Sequence, residues 1–451
     1  CMQLKYLFST LLFTGLFFQV NAQNPVGLMS TPDLWNANQV NPAFIPKAKI
    51  TVGLGSFQNS FFTSGPVYSD FIVEDNGVNF LDFDNAIESM DENNVIWNNF
   101  DVQTLSVAIR VNENFLLSFG HSAHIFALGD YHKNLPQLIY QGNAAFIGET
   151  MTLDNEFVFN SYNAYAVGAA YKIGNLTIGG KVKYLSGFRS AATDADRNQA
   201  SLFTDPDIYE ITLESNYRLN SSGTVEYNGF DEFDFDSGVD NLANELFSSN
   251  TGWAFDIGAT LELNDQFTLS ASATDIGGIN WEEDVKNYTS EGTFDYDGID
   301  ISDALVGNDV DDDDFGSIID TLENIFRAEE SFNNYDINLP RRINLGAQYA
   351  ITDRLMVGAS YHLTQFRENN LQAFGINGRL QATNWLNVGL TYATLLEEDR
   401  YFNIGLNTIL DLGPIQLFAV TNNLTGLFNA DDAGYFQGQV GVNLQFGKKF
   451  N

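Results

Sequence analysis

The second half of the chain alternates apolar and polar residues with a period of two. Between Trp253 and Leu263 the odd-numbered residues are all apolar, whereas the even-numbered ones include Asp256 and Glu262. Successive side chains of a β-strand point to opposite faces, so this stretch predicts a strand with one apolar and one polar face. An Asn-Asp turn at 264–265 leads into a second alternating stretch. Together the two stretches predict a β-hairpin.

The same unit recurs along the chain. Strands of about ten residues with one apolar face, joined alternately by short and long connections, are typical of a transmembrane β-barrel. Fourteen strands are predicted, at 49–58, 103–111, 115–126, 161–173, 176–188, 252–263, 266–276, 341–351, 354–365, 372–382, 385–395, 400–411, 415–424 and 436–447. We therefore predict an all-β fold, a transmembrane antiparallel barrel whose polar face lines a lumen.

Tight turns fall at every second connection, which fixes the predicted topology. They lie at 112–114, 174–175, 264–265, 352–353, 383–384 and 412–414. Short turns of such barrels face the periplasm and longer connections face outward, so both chain ends are expected in the periplasm. A further pair near 208–219 and 222–230 would raise the count to sixteen. Glu210, Glu214 and Arg218 interrupt its apolar face, which favours a hairpin projecting from an outer loop.

The beginning of the chain has the pattern of a secretory signal peptide. Residues 1–22 carry one basic residue, Lys5, then an apolar run and the small Ala22. The run is shorter than the roughly 18 residues that a membrane-spanning helix needs. We expect a signal peptide at 1–22, an N-terminal segment at 23–48 and a barrel domain at 49–451. The single cysteine, Cys1, precedes Met2, so neither disulfide nor thiol chemistry is expected after cleavage.

The charge of the chain excludes one class of partner. A formal net charge of −37 makes nucleic acid an improbable ligand because phosphates would be repelled. The acidic residues concentrate in the long connections, as in solvated outer loops. Apolar residues at helical spacing over 315–326, and more weakly over 239–247, predict short helices in those loops. The acidic run Asp311 to Asp314 suits either plain solvation or Ca²⁺, although it lacks the spacing of a formed calcium loop.

Several segments resemble those of a known family. They are Asn41-Pro42-Ala43-Phe44, residues 140–148, residues 179–187, Thr274 to Gly277 with Trp281, and residues 440–447. Together they resemble an uncharacterised Bacteroidota outer-membrane family whose barrel is similar to those of the long-chain fatty-acid transporters and of type IX secretion. The Asn-Pro-Ala element is shared with the fatty-acid transporters. The resemblance therefore implies that Asn41, Pro42, Ala43 and Phe44 belong to a segment that enters the lumen as a plug.

Projecting the predicted strands inward places eight ionisable side chains toward the interior. They are Arg110, Lys181, Lys183, Asp256, Glu262, Asp275, His362 and Arg379. Such groups either mark a path or binding site, or pair with one another and fill the lumen. Clustering of the basic residues on one side of the wall would favour a path, and dispersal would favour pairing.

The sequence offers little sign of catalysis. His121 and His124 lie near Ser118 and Ser122, but such combinations are common in strands. A nucleophile elbow, zinc-ligand spacing or phosphate loop is not found in the sequence. We predict no enzyme, no cofactor and no resident metal.

These observations predict a monomeric, non-enzymatic barrel in outer-membrane lipid. One hypothesis is passive uptake of a small apolar molecule, which needs a route through the lumen. The alternative is a scaffold or accessory barrel that binds a protein of a surface secretion or assembly machinery, which needs an occluded lumen and a large outer surface. The sequence does not decide between them.

Overall fold

The computed structural model describes residues 26–75, 77–229, 232–235, 246–297, 321, 324–395, 402–424, 426 and 430–449. Fourteen antiparallel strands form a closed ring in chain order, and the last pairs with the first. They are β1 Ala48–Thr63, β2 Asn93–Arg110, β3 Phe115–His132, β4 Asn155–Ile173, β5 Leu176–Thr204, β6 Thr251–Glu262, β7 Phe267–Trp281, β8 Arg341–Ala350, β9 Leu355–Phe366, β10 Asn369–Gln381, β11 Leu386–Leu395, β12 Phe402–Leu412, β13 Ile415–Thr421 and β14 Tyr435–Lys449. The predicted fourteen-stranded barrel is confirmed.

The alternation seen in the sequence separates the two faces of this wall. In β6, Trp253, Phe255 and Ile257 are exposed on the outside, whereas Ala254 and Asp256 are buried on the inside. Large apolar residues are exposed in the same way on strands around the ring, such as Val167, Leu390 and Val440. The outside is therefore an apolar band, and closure of the ring leaves no unpaired strand edge within it.

The two rims of the barrel differ. The tight turns lie at one rim, here called the short-turn rim. Ala48 pairs with Lys449 and Ile50 pairs with Ile109 near the turn after β2, so both described ends of the wall reach this rim. The other connections lie at the opposite, long-connection rim, and they are longer except for the two-residue turn at 367–368 between β9 and β10.

The long-connection rim carries most of the remaining elements. Its strands are Ile72–Asp75, Val78–Leu81, Thr150–Thr152, Ile211–Ser222, Val225–Gly229, Glu232–Phe235, Val285–Tyr296, Glu329–Ser331 and Tyr335–Asn338, and its helices include Phe83–Glu88 and Asn134–Gln141. Short 3₁₀ turns occur at Tyr68–Phe71, Ala144–Phe146 and Ala430–Asp432. In the described ranges, helices are all too short or too polar to cross a membrane.

One predicted pairing at this rim is wrong. The strand Ile211–Ser222 does not form a hairpin with the segment after it; it pairs with the far half of β5 and with Val285–Tyr296. Val225–Gly229 pairs instead with Glu232–Phe235. The reason is that β5 continues well past the barrel wall. The edge of this extension is not paired within the wall, so it pairs with Ile211–Ser222.

Some predicted features fall outside the described residues. These are the signal peptide at 1–22, the acidic run Asp311 to Asp314 and most of the two predicted loop helices. Of the helix predicted at 315–326, the described residues 321 and 324–326 are helical.

The outward face gives a direct test of the register. Ile257 lies midway along β6 and is exposed on the outside. We expect Ile257→Arg to reduce assembly, because a charge facing lipid near the bilayer midplane costs roughly 2–4 kcal/mol. Ile257→Phe is the matched control and should assemble normally. The measurement is heat-modifiable migration in electrophoresis, and equal assembly of the two variants would show that the faces are assigned incorrectly.

Candidate functional site in the barrel lumen

The N-terminal segment, residues 26–46, lies inside the ring of strands. It is buried and contains the helical turns Val26–Met29 and Trp35–Gln39. Its hydrogen bonds reach strands on all sides of the barrel. They join Trp35 to Ser106 on β2, Asn38 to Lys181 on β5, Val40 to Asn344 on β8, Gly27 to Asn407 on β12, and Asn36 to Asn443 on β14. A segment bonded to the whole circumference of a closed wall occupies its lumen.

The Asn-Pro-Ala element seats against β6 and β7. The Asn41 side chain donates to the carbonyl oxygens of Ala259 and Ala271, each at 3.3 Å, and accepts from the Ala43 amide at 2.9 Å. A Cβ added at Gly258 would lie 2.1 Å from Asn41 Oδ1. Glycine at this wall position therefore gives the segment room to approach.

Apolar contacts hold the rest of the segment. Leu28, Leu34 and Phe44 pack with Ile409 and Phe418 on the inner wall. Trp35 packs in a second cluster with side chains of β2, β3 and β4. The segment thus combines polar bonds to the wall with buried apolar anchors, as expected for a chain that fills a lumen.

Farther along the lumen, Lys183 forms the centre of an ionic cluster. Its Nζ lies 2.8 Å from Asp256 and 2.6 Å from Asp275, and Arg342 lies 3.4 Å from Asp275. The register between β6 and β7 breaks at this point, and the Asp275 amide donates to Asp256 at 2.9 Å. The break is a β-bulge, which here directs two carboxylates of neighbouring strands at one lysine.

Other predicted lumen residues face the N-terminal segment. Arg110 donates to the Pro46 carbonyl, and Lys181 donates to that of Asn38 at 2.6 Å. Arg379 lies 3.2 Å from Asp33. Burial alone would raise the pKa of Asp33, but the positive charges of Arg379 and Lys47 hold that pKa below its usual value.

The remaining two predicted residues take different positions. His362 is buried between Asn344, at 2.7 Å, and Thr364, at 2.8 Å. Glu262 pairs with Lys172 at 2.7 Å at the short-turn rim, where its side chain is 46% exposed, and so does not join the others. The basic residues are dispersed around the ring, on β2, β5, β8 and β10, which is the arrangement expected for pairing.

Aromatic side chains meet across the lumen near the long-connection rim. Phe366 of β9 lies 4.8 Å from Phe126 of β3 and 6.3 Å from Trp97 of β2, between ring centroids. Because β9 is six and seven strands away from β3 and β2 in a ring of fourteen, these contacts cross the lumen. They belong to a larger buried cluster, here called the apolar layer, to which most strands contribute.

The turn between β9 and β10 fastens this layer to the opposite wall. Arg367 forms an ion pair with Glu156 and donates to the Thr193 carbonyl at 3.0 Å. Asn369 donates to Asp130 at 3.1 Å. These residues were not predicted, because nothing in the local sequence shows that a turn will reach across the barrel.

A chamber of about 100 Å³ lies beside the N-terminal segment, and the apolar layer begins at the next inward positions of β2 and β3, Trp97 and Phe126. Its wall is mainly polar and includes Asp101, Ser122, His124, Lys183, Asp275 and Arg342. Of these, Lys183 and Asp275 were predicted to face the lumen, Ser122 and His124 were noted only as a combination of residue types, and Asp101 and Arg342 were not predicted. Arg342 lies on a predicted strand and Asp101 lies two residues before one.

Three solved structures are similar to this chain over most of its length, at low sequence identity. The Pseudomonas putida toluene transporter TodX is 12% identical, with a TM-score of 0.40 and coverage of 94% of this chain and 97% of that chain. The Ralstonia pickettii toluene transporter TbuX is 11% identical, with a TM-score of 0.40 and coverage of 96% and 95%. A Pseudomonas aeruginosa FadL homologue is 12% identical, with a TM-score of 0.44 and coverage of 94% and 96%.

Among curated proteins, no match to the chain was found. A model described as a family of unknown function, DUF5723, matches residues 42–422, and the chain therefore belongs to that family.

Proposed function

We propose that the protein is an outer-membrane barrel that lets a small molecule pass through a lumen closed at rest. The apolar band on the outside suits lipid, and the closed ring satisfies the backbone bonds within it. The observation that carries the proposal is the chamber between two closures of different kinds. One closure is the N-terminal segment, and the other is the apolar layer fastened by Arg367.

The lining of the lumen indicates the class of solute. The apolar layer crosses the lumen on the side of the long-connection rim, so a solute that passes it moves through apolar surroundings, which supports the predicted uptake of an apolar molecule. The chamber beneath it is mainly polar and holds paired charges. We therefore infer that the solute has an apolar body and a polar end.

A second candidate, a scaffold for a surface machinery, has one specific observation in its favour. β5 extends past the barrel wall and builds a sheet with Ile211–Ser222 and Val285–Tyr296. This sheet, together with an occluded lumen, would present a shaped surface to a protein partner. A scaffold has no need for the lumen to open.

The two candidate functions differ in whether the turn at Arg367 can move away from the opposite wall and open the lumen. We expect Arg367→Ala to increase access to the chamber about 10- to 100-fold, because a hydrogen bond to a charged group contributes roughly 1.5–3 kcal/mol. The measurement is the modification rate of a cysteine at Ser60, which lines the chamber, by a small methanethiosulfonate. Cys1 is replaced by serine in every protein used for this measurement, so that the reagent modifies the cysteine introduced at position 60.

Arg341→Ala is the matched control, because Arg341 is exposed at the same rim and donates to Gln365 of the neighbouring strand rather than across the lumen. It should leave the rate unchanged. If the chamber cysteine stays unreactive in both variants, the lumen does not open from this side and the scaffold is the better account.

A further inference from the structure

Three chamber residues form a hydrogen-bonded chain that neither proposed function uses. Ser122 Oγ lies 2.7 Å from His124 Nε2, and His124 Nδ1 lies 2.5 Å from Asp101 Oδ1. Ser122 and His124 are two residues apart on β3, so both point inward, and Asp101 is the residue of β2 directly opposite His124. All three line the chamber.

The carboxylate decides how the protons are arranged. An ionised Asp101 can only accept, so the Nδ1 of His124 carries the proton that faces it. The Nε2 of the neutral ring is then an acceptor, and the Ser122 hydroxyl donates to it. This is the order of roles in a serine nucleophile, its general base and the residue that orients the base.

The surroundings hold the imidazole in place and include two cations, both of which also pair with Asp275. The ring of His124 stacks on that of Tyr162 with centroids 4.8 Å apart. Lys183 and Arg342 line the same chamber. Cations near a reacting carbonyl stabilise the oxyanion that forms upon attack. The His124 and Asp101 side chains are 20% and 17% exposed, so both face the open space of the chamber.

We propose that Ser122 is an activated nucleophile and that the chamber hydrolyses small carboxylic esters. Ser122 Oγ bonds to the ester carbonyl carbon while its proton passes to His124 Nε2. The bond to the alkoxy group then breaks, and the leaving alcohol takes that proton. Water next attacks the acyl-serine and gives a proton to His124. The bond from the acyl carbon to Ser122 Oγ then breaks, Oγ takes that proton back from His124, and the carboxylic acid leaves.

Asp101 acts in this scheme as a positioning residue. It fixes the ring tautomer without touching the ester. The proposal does not depend on passage of a solute through the barrel, and it departs from the prediction, made from sequence, that the protein is not an enzyme.

The test uses diisopropyl fluorophosphate on the folded, detergent-solubilised barrel. Attack by Ser122 forms a phosphorus–oxygen bond and expels fluoride, and mass spectrometry locates the adduct. We expect an adduct on Ser122 that is absent in Ser122→Ala. His124→Gln and Asp101→Asn should slow its formation about 100-fold or more, since a general base typically contributes 10²–10⁴-fold. Asp101→Glu, which keeps the carboxylate, should restore part of the rate.

Ser118→Ala is the matched control, because Ser118 lies on the same inward face of β3 and lines the same chamber. It should react at the unaltered rate, and heat-modifiable migration should show every variant folded. The proposal is overturned if Ser122 forms an adduct neither in the natural chain nor in the Arg367→Ala variant. It is also overturned if His124→Gln, while folded, reacts as fast as the natural chain.

Discussion

Replacing Lys183 with methionine is expected to lower the free energy of unfolding of the barrel by about 3–5 kcal/mol, the usual cost of removing one partner of a buried ion pair. Lys183 contacts two carboxylates at 2.8 and 2.6 Å, and the Asp256 side chain is fully buried. Methionine keeps much of the volume but leaves Asp256 without its cation. The measurement is the midpoint of urea unfolding in lipid vesicles.

Lys172→Met supplies the matched control. Lys172 also pairs with a carboxylate, Glu262 at 2.7 Å, but both side chains are over a third exposed at the short-turn rim. An exposed pair contributes about 0–1 kcal/mol. Equal effects of the two substitutions would mean that water enters the Lys183 cluster and that the lumen is wetter at this depth than the structure shows.

The wall of the barrel was predictable because the sequence of each strand shows which residues face outward and which face inward. The alternation at Trp253 to Leu263 follows from burial of one face alone and needs no knowledge of the partner strand. The tight turns are equally local, since an Asn-Asp pair at 264–265 closes a hairpin by its own backbone preferences. All fourteen strands were located in this way.

Cross-strand pairs were less predictable because bulges shift the register. Between β2 and β3, Gln103 is opposite Ser122 and Leu105 is opposite His121, so Thr104 is an extra residue. One unrecognised bulge displaces every pair beyond it. Ser122 and His124 were noticed in the sequence, whereas their neighbour Asp101 was not, because it also lies before residue 103, where its strand was predicted to begin.

Contacts across the lumen were not predictable at all. The ion pair of Arg367 with Glu156 joins residues far apart in the chain and exists only after the ring closes. Nor could the sequence show that Ile211–Ser222 would pair with β5, because the length of β5 beyond the wall decides where a free edge remains. These are tertiary effects that override local preference.

The lumen is expected to be closed twice in series, and solute permeation tests this most directly. Two changes are compared, deletion of residues 26–46 and Arg367→Ala, alone and together. Each removes one closure, and water can solvate the wall charges that the N-terminal segment leaves behind. Because either remaining closure still blocks the path, the two effects should be strongly non-additive.

The deciding measurement is the swelling rate of proteoliposomes in a small sugar such as arabinose, with heat-modifiable migration to show that each barrel is folded. The natural chain and both single variants should swell little faster than protein-free liposomes, and the combined variant should swell much faster. A folded combined variant that is as impermeable as the natural chain would contradict the account, since neither the N-terminal segment nor the apolar layer would then be what closes the lumen.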